Sequence, residues 1–156
     1  MTTAPRISII IPTHNRKTLL LENLQALAQQ TFPSSDMEVV VVADGCSDDT
    51  AQALLTASFP FALQVTEQAP QGPSAARNHG ARLARGEILL FLDDDIEASP
   101  NLVQAHAEAH AGQPRRVAIG YLPPILQAQT GFFREELRGW WEAMFSTMLV
   151  PGYRYR

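Results

Sequence analysis

Three carboxylates in a row, Asp93, Asp94 and Asp95, follow the apolar run Ile88 to Leu92. Adjacent carboxylates repel one another and are costly to desolvate unless a cation joins them. A hard divalent ion with oxygen ligands, shared with a phosphate-bearing substrate, satisfies them most simply. The plainer reading is a solvated acidic turn that ends a strand. Two other segments argue against it, because each also carries an apolar run into polar groups. Ile7 to Ile11 leads into Pro12, Thr13, His14, Asn15 and Arg16, and Val39 to Ala43 leads into Asp44. His14 is flat enough to stack on a base, Asp44 can accept from a base N–H, and two acids can divide ribose hydroxyls and a metal between them. Arg77 and Asn78 add a cation and an amide, which completes a set suited to a nucleoside diphosphate. Neither GxGxxG nor GxxxxGK followed by Ser or Thr occurs, so the phosphates must be neutralised chiefly by the metal.

For these groups to meet, the apolar runs must be neighbouring strands whose C-terminal ends share one edge of a sheet. Ile7 to Ile11 and the four consecutive valines Val39 to Val42 read as buried strands. Glu87 to Leu92 reads as a central strand buried on both faces. Phe61 to Thr66 makes a weaker strand, and Val117 to Tyr121 a fifth. Helical patterns alternate with them. Leu20, Leu24 and Leu27 form one stripe, and a short helix runs through Leu54 and Leu55 after a cap at Asp48 or Asp49. Ser74 to Arg85 carries Ala75, Ala76 and Gly80 on its inner side, small enough to press close to the sheet. Ser99 and Pro100 open a helix that reaches His110. Pro12 is expected to stop the first strand, with Thr13 or Asn15 capping the helix after it. Strands alternating with helices give an α/β fold with a mostly parallel central sheet.

Composition narrows the partners. The 156 residues are 46% hydrophobic, which suits one globular core. A net charge of −4 gives no basic footprint for nucleic acid. Cys46 is the single cysteine, so an intrachain disulfide is excluded and a reducing compartment fits. MTTAPR lacks the pattern of a signal region, and no apolar run approaches the ~20 residues of a membrane span. A cytoplasmic location is therefore expected. From Phe132 the pattern is helical again. Its stripe from Trp140 to Leu149 reads first as core; with Arg154 and Arg156 it also suits a peripheral contact at the inner face of a membrane. His106 and His110 share a helix face but lack a third ligand, so they read as a solvated surface.

The segments ISIIIPTHNR, VVVVADGCSDDT and GPSAARNHGARLARGEILLFLDDD, in that order, resemble the N-terminal half of family-2 glycosyltransferases. The resemblance implies a Rossmann-like GT-A α/β/α sandwich, incomplete at its C-terminal end. Residues 1–122 would form the nucleotide-sugar-binding core and 123–156 the start of the acceptor side. It implies a nucleotide-diphosphate sugar donor, a divalent cation (Mn²⁺ or Mg²⁺), and transfer with inversion to a hydroxyl of a saccharide, lipid or protein acceptor. Carried over by position, Pro12 and His14 line the base pocket, with Asn15 and Arg16 in the same nucleotide-sugar-binding set. Asp44 binds the base and Arg77 helps hold the nucleotide. Asp93 opens the DxD reading, Asp94 faces the ribose or a metal-bound water, and Asp95 is the main protein ligand of the metal. Cys46 stands where the family more often has serine. Inversion needs a general base, and none of Glu135, Glu136 and Glu142 matches the family's base. A different class of function, a non-catalytic nucleotide- or partner-binding module of the same fold, is the competing reading. A nucleotidyltransferase is disfavoured, because the loop PTHNRKT lacks the glycines such enzymes use.

Overall fold

The two most apolar runs become the two best-buried strands. The strands β1 (Ile7–Thr13) and β2 (Met37–Asp44) are buried along their whole length. The computed structural model describes residues 4–113, 115–122 and 132–148. After β1 comes α1 (Lys17–Leu27), then a short 3-10 turn at Ser34–Asp36 leading into β2. There follow α2 (Thr50–Thr56), β3 (Ala62–Gln68), α3 (Pro73–Leu83), β4 (Ile88–Phe91), α4 (Leu102–His110) and α5 (Phe132–Met148). The strands form one parallel sheet in the order β3-β2-β1-β4. This is the α/β architecture expected, with the sheet open at both edges among the described residues.

Strand alternation sorts the core into two layers. Ile7, Ile9, Ile11, Val39, Val41 and Leu90 cluster with Leu20, Leu24 and Leu27 of α1, Leu54 of α2, and Val103 and Ala107 of α4. The opposite face packs on α3, where the expected close approach is seen. A Cβ at Gly80 would lie 2.6 Å from Ile10 Cγ2 and 3.3 Å from Val42 Cγ2, so only glycine fits without displacement. Pro73 occupies the first turn of α3, where its missing N–H costs nothing.

Several expectations change. Pro12 does not stop β1, which continues to Thr13. The Ile10 carbonyl accepts Leu92 N–H, so by two-residue alternation the Pro12 nitrogen faces the same side, beyond the end of β4. No ladder bond is lost there. The strand after Gly86 is not central but an edge, and its run is not buried on both faces. Leu90 is buried, whereas Leu89 and Phe91, on the α3 side of the sheet, are 40% and 46% exposed. Val117 to Tyr121 pairs with no strand among the described residues, and Val117 and Ile119 are exposed. Strand propensity without a partner edge makes no strand. Helix α4 begins at Leu102, behind an Asn101 cap position, and not at Pro100.

Two compact units divide the chain, Met1–Ala118 and Ile119–Arg156. In the second, α5 exposes Phe133, Leu137 and Trp140, while Tyr121 and Trp141 pack on Phe145 with ring centroids 5.1 and 5.6 Å away. Glu142 pairs with Arg138 on its solvated face. The break at Pro123-Pro124, Leu149, and Arg154 and Arg156 lie outside the described residues. No described helix is long and apolar enough to cross a membrane.

Candidate functional site

Because every strand is parallel, the C-terminal ends of β1, β2 and β4 reach one edge of the sheet. The order β3-β2-β1-β4 reverses direction between β1 and β4, and ligands of open α/β sheets bind in the crevice at such a switch point. The turn after β1 forms one side of this crevice and the acidic turn after β4 the other. Asp44 and Asp95, on either side of β1, therefore stand at the same edge.

The acidic turn is divided between two arginines. Arg16 Nη1 donates to Asp94 Oδ1 at 3.2 Å and to Asp95 Oδ2 at 2.9 Å. Asp93 instead pairs with Arg77 of α3. Thus Asp94 and Asp95 converge on one cation, while the Asp93 of the expected DxD pairing faces elsewhere. Asp94 is fixed: its side chain is 7% exposed, and Thr13 Oγ1 donates to its Oδ2 at 2.8 Å. Asp95 is free to reach out, at 47% exposure. Asp94 first, then Asp95, raise the Arg16 pKa above its already high ordinary value. The turn is also anchored from α1, because Asn23 Nδ2 donates to the Asp93 carbonyl at 2.8 Å.

Asp44 is held differently. Its Oδ1 accepts Gln68 Nε2 and Gln71 N–H, both at 2.8 Å, and its Oδ2 accepts Gly72 N–H at 2.7 Å. Burial opposes its ionisation, but the Gln71 N–H, the Gln68 amide and the Gly72 N–H outweigh that and hold its pKa below the ordinary carboxylate value. In doing so Asp44 ties the β3–α3 loop to the end of β2. The turn bends at Gly45, whose φ of 68° is the left-handed region that favours glycine. His14 Nδ1–H donates to the Asp44 carbonyl at 2.5 Å, and its Nε2 lies 3.3 Å from Asn15 Nδ2. Asn15 Oδ1 accepts Ser47 N–H at 2.7 Å, stitching the β1 turn to the β2 turn.

The structure therefore joins His14, Asn15 and Asp44 into one group, and Arg16, Asp94 and Asp95 into another beside it. Arg77 and Asp93 form a pair against α3, and Pro12 is buried inside β1. Thr13 and Asn15 do not cap α1; Asp48 Oδ2 accepts the Lys17 N–H at 3.0 Å instead. Asp48 also accepts from Thr50 at the start of α2. Sequence reasoning missed Asn23 and Gln68. Asn23 had a signal, since it is the one polar residue among the buried Leu20, Leu24 and Leu27 of α1. The pair His106 and His110 stacks at 6.3 Å, and burial first, then His110, lowers the His106 pKa.

Among the described residues no three His, Cys, Asp or Glu side chains converge as a ready-made metal cage. Asp94 and Asp95 nonetheless fit a divalent ion. Their oxygens are hard donors, and one nitrogen of a cationic guanidinium already lies within reach of both. One or two carboxylates with substrate phosphates are what Mg²⁺ usually takes.

Known proteins extend this reading. The sequence profile of Glycosyl transferase family 2 matches residues 8–152. The validoxylamine A glucosyltransferase of Streptomyces hygroscopicus subsp. limoneus is 40% identical over 119 residues, which are 74% of this chain and 26% of that protein. The chain thus spans about a quarter of the length of that relative. The structure of Staphylococcus aureus TarS 1-349 in complex with UDP-GlcNAc aligns with a TM-score of 0.64 and 28% identity, covering 74% of this chain and 37% of that one. The Pyrobaculum calidifontis mannosyltransferase in complex with GDP-Man and Mn²⁺ aligns with a TM-score of 0.59 and 31% identity, over 69% and 32% of the two chains. With this profile, these relatives and the GT-A sheet they share, the chain belongs to glycosyl transferase family 2.

Proposed function

We propose that the chain is the donor-binding part of a metal-dependent, inverting glycosyltransferase that moves a sugar from a nucleoside diphosphate to an acceptor hydroxyl. The observation that carries this reading is the convergence of Asp94 and Asp95 on one guanidinium nitrogen at the switch point of the sheet. Asp95 is the protein's metal ligand, with Asp94 beside it facing the ribose or a metal-bound water. A bound Mn²⁺ or Mg²⁺ supplies positive charge to the departing diphosphate. Asp44 keeps the β3–α3 loop in place as the floor of the base site, and His14 presents its flat ring at the rim. Arg77 adds positive charge on the α3 side. The nucleotide-sugar-binding core runs to about residue 122, and 123–156 begins the acceptor side. The relatives whose structures hold UDP-GlcNAc and GDP-Man support a nucleotide-sugar donor, and the Mn²⁺ held by the mannosyltransferase supports the metal.

The test is calorimetric titration of UDP- and GDP-sugars with and without Mn²⁺, on the wild type and on Asp95→Ala. The expected outcome is Mn²⁺-dependent binding that the variant loses. Equal metal-dependent binding in Asp95→Ala would refute the assignment. Turnover assays across acceptors separate the competing reading: steady nucleotide release from the donor would rule out the non-catalytic module, and donor binding without any release would favour it.

A further inference from the structure

Arg16 presents a contradiction that the proposed function alone does not resolve. Its guanidinium sits 2.9 Å from Asp95, the proposed metal ligand, and 3.2 Å from Asp94 beside it. A divalent ion on Asp95 cannot share that position with a guanidinium nitrogen. Resting on the metal-dependent reading above, we propose that Arg16 is an exchangeable counter-cation. It neutralises Asp94 and Asp95 while no divalent ion is bound, yields them to the ion, and turns to the diphosphate that the ion brings.

Three observations support the exchange. First, the Arg16 side chain is 51% exposed, and one of its two partners, Asp95, is 47% exposed. The Arg16–Asp95 pair, accessible on both sides, is of the weak kind that breaks easily. Second, the acids keep their places without it. Asp94 is buried and retains the Thr13 hydroxyl at 2.8 Å, and the Asp93 carbonyl retains the Asn23 amide at 2.8 Å. Releasing Arg16 leaves a pre-shaped carboxylate pair instead of a collapsed loop. Third, Arg16 occupies the cap position of α1, and no side-chain cap bond ties it there. The first turn of α1 is held by Asp48 on the Lys17 N–H, so the Arg16 side chain can swing without loosening the helix. A freed guanidinium matches phosphate oxygens in a two-pronged geometry that lysine cannot reproduce. Without such a counter-cation, Asp94 and Asp95 would face one another as unrelieved like charges before substrate arrived.

Exchange requires one substitution to act with opposite signs on two ligands, which a merely structural arginine would not do. Arg16→Ala removes the competitor for the acids, so Mn²⁺ alone should bind about three- to tenfold more tightly, followed by manganese paramagnetic resonance. UDP and GDP, each titrated in saturating Mn²⁺, should show that whichever nucleotide the wild type prefers binds the variant about tenfold more weakly. Arg16→Lys should restore part of the first effect and little of the second. Circular dichroism melting verifies that each variant is folded, with Arg16→Gln replacing any that is not. Mn²⁺ affinity unchanged or weakened in the folded Arg16→Ala and Arg16→Gln chains, while Asp95→Ala abolishes it, would overturn the exchange and leave the metal site standing. No Mn²⁺ binding by any chain would overturn both.

Discussion

The two ends of the sheet hold carboxylates in opposite ways. At the N-terminal end, Glu38 is 1% exposed, and its Oε1 accepts Ser8 Oγ–H at 2.6 Å and Arg85 N–H at 2.7 Å. Its Oε2 accepts Arg85 Nε and Nη2 at 2.8 and 2.6 Å, and Gly86 N–H donates to Ser8 Oγ at 2.8 Å. One backbone N–H, the Ser8 hydroxyl and the Arg85 guanidinium together saturate this buried acid, and it joins β1, β2 and the turn before β4. At the C-terminal end Asp93, Asp94 and Asp95 are held mainly by arginine side chains, two of the three acids being about half exposed. Asp44 belongs to the same end but follows the first pattern, with two backbone N–H groups fixing it. A buried acid with every oxygen satisfied and backbone N–H groups among its donors holds the fold together. An acid whose partner is a mobile side chain can exchange that partner for a ligand.

Substitutions can break this contrast. Glu38→Ala should have the largest effect on stability, about 3 kcal/mol lost in urea unfolding, because it orphans several donors at once. Asp95→Ala should lie within about 0.5 kcal/mol of the wild type, as expected for an exposed pair. Equal losses at the two ends would erase the distinction. Gly80→Ala should follow, with a net loss of about 1–2 kcal/mol, since the clash with Ile10 outweighs the gain in helix propensity. A smaller loss, about 1 kcal/mol, is expected for Asp44→Asn, which keeps an acceptor but faces an amide toward one of its donors.

Acid should sharpen the same comparison. Both Glu38 and Asp44 are held below their ordinary values of 4.5 and 3.8; for Glu38, burial is outweighed by the Ser8 hydroxyl, the Arg85 N–H and the Arg85 guanidinium. The unfolded chain therefore binds more protons in acid. Their stabilisation is complete above about pH 4.5 and is lost as pH falls through the lowered folded-state values. Melting temperature against pH should drop below that point, and Glu38→Gln should flatten the drop.

The parts of the molecule that were legible in the sequence are those decided locally. Four valines in β2 and the isoleucines of β1 state their own burial, and a parallel sheet then places Asp44 and Asp95 at one edge. What was not legible depends on neighbours distant in the chain. The apolar run of β4 reads as buried, but exposure of Leu89 and Phe91 is decided by how far α3 extends over the sheet. Pro12 reads as a stop because its strand neighbours are not visible in a local pattern. Thr13 reads as a helix cap, yet its hydroxyl reaches Asp94, 81 positions away. The role of Arg16 depends on two acids whose distance from it is set entirely by the sheet order.

Nuclear magnetic resonance of the ¹⁵N-labelled chain, with substoichiometric Mn²⁺ and a saturating nucleotide, compares the two ends of the sheet within one sample. Amides of Thr13 to Lys17 and of Asp93 to Ile96 should broaden first and most, while Ser8, Glu38 and Gly86 stay sharp. Broadening centred on the Glu38 end, or spread evenly over the chain, would contradict a cation-dependent donor site at the acidic turn.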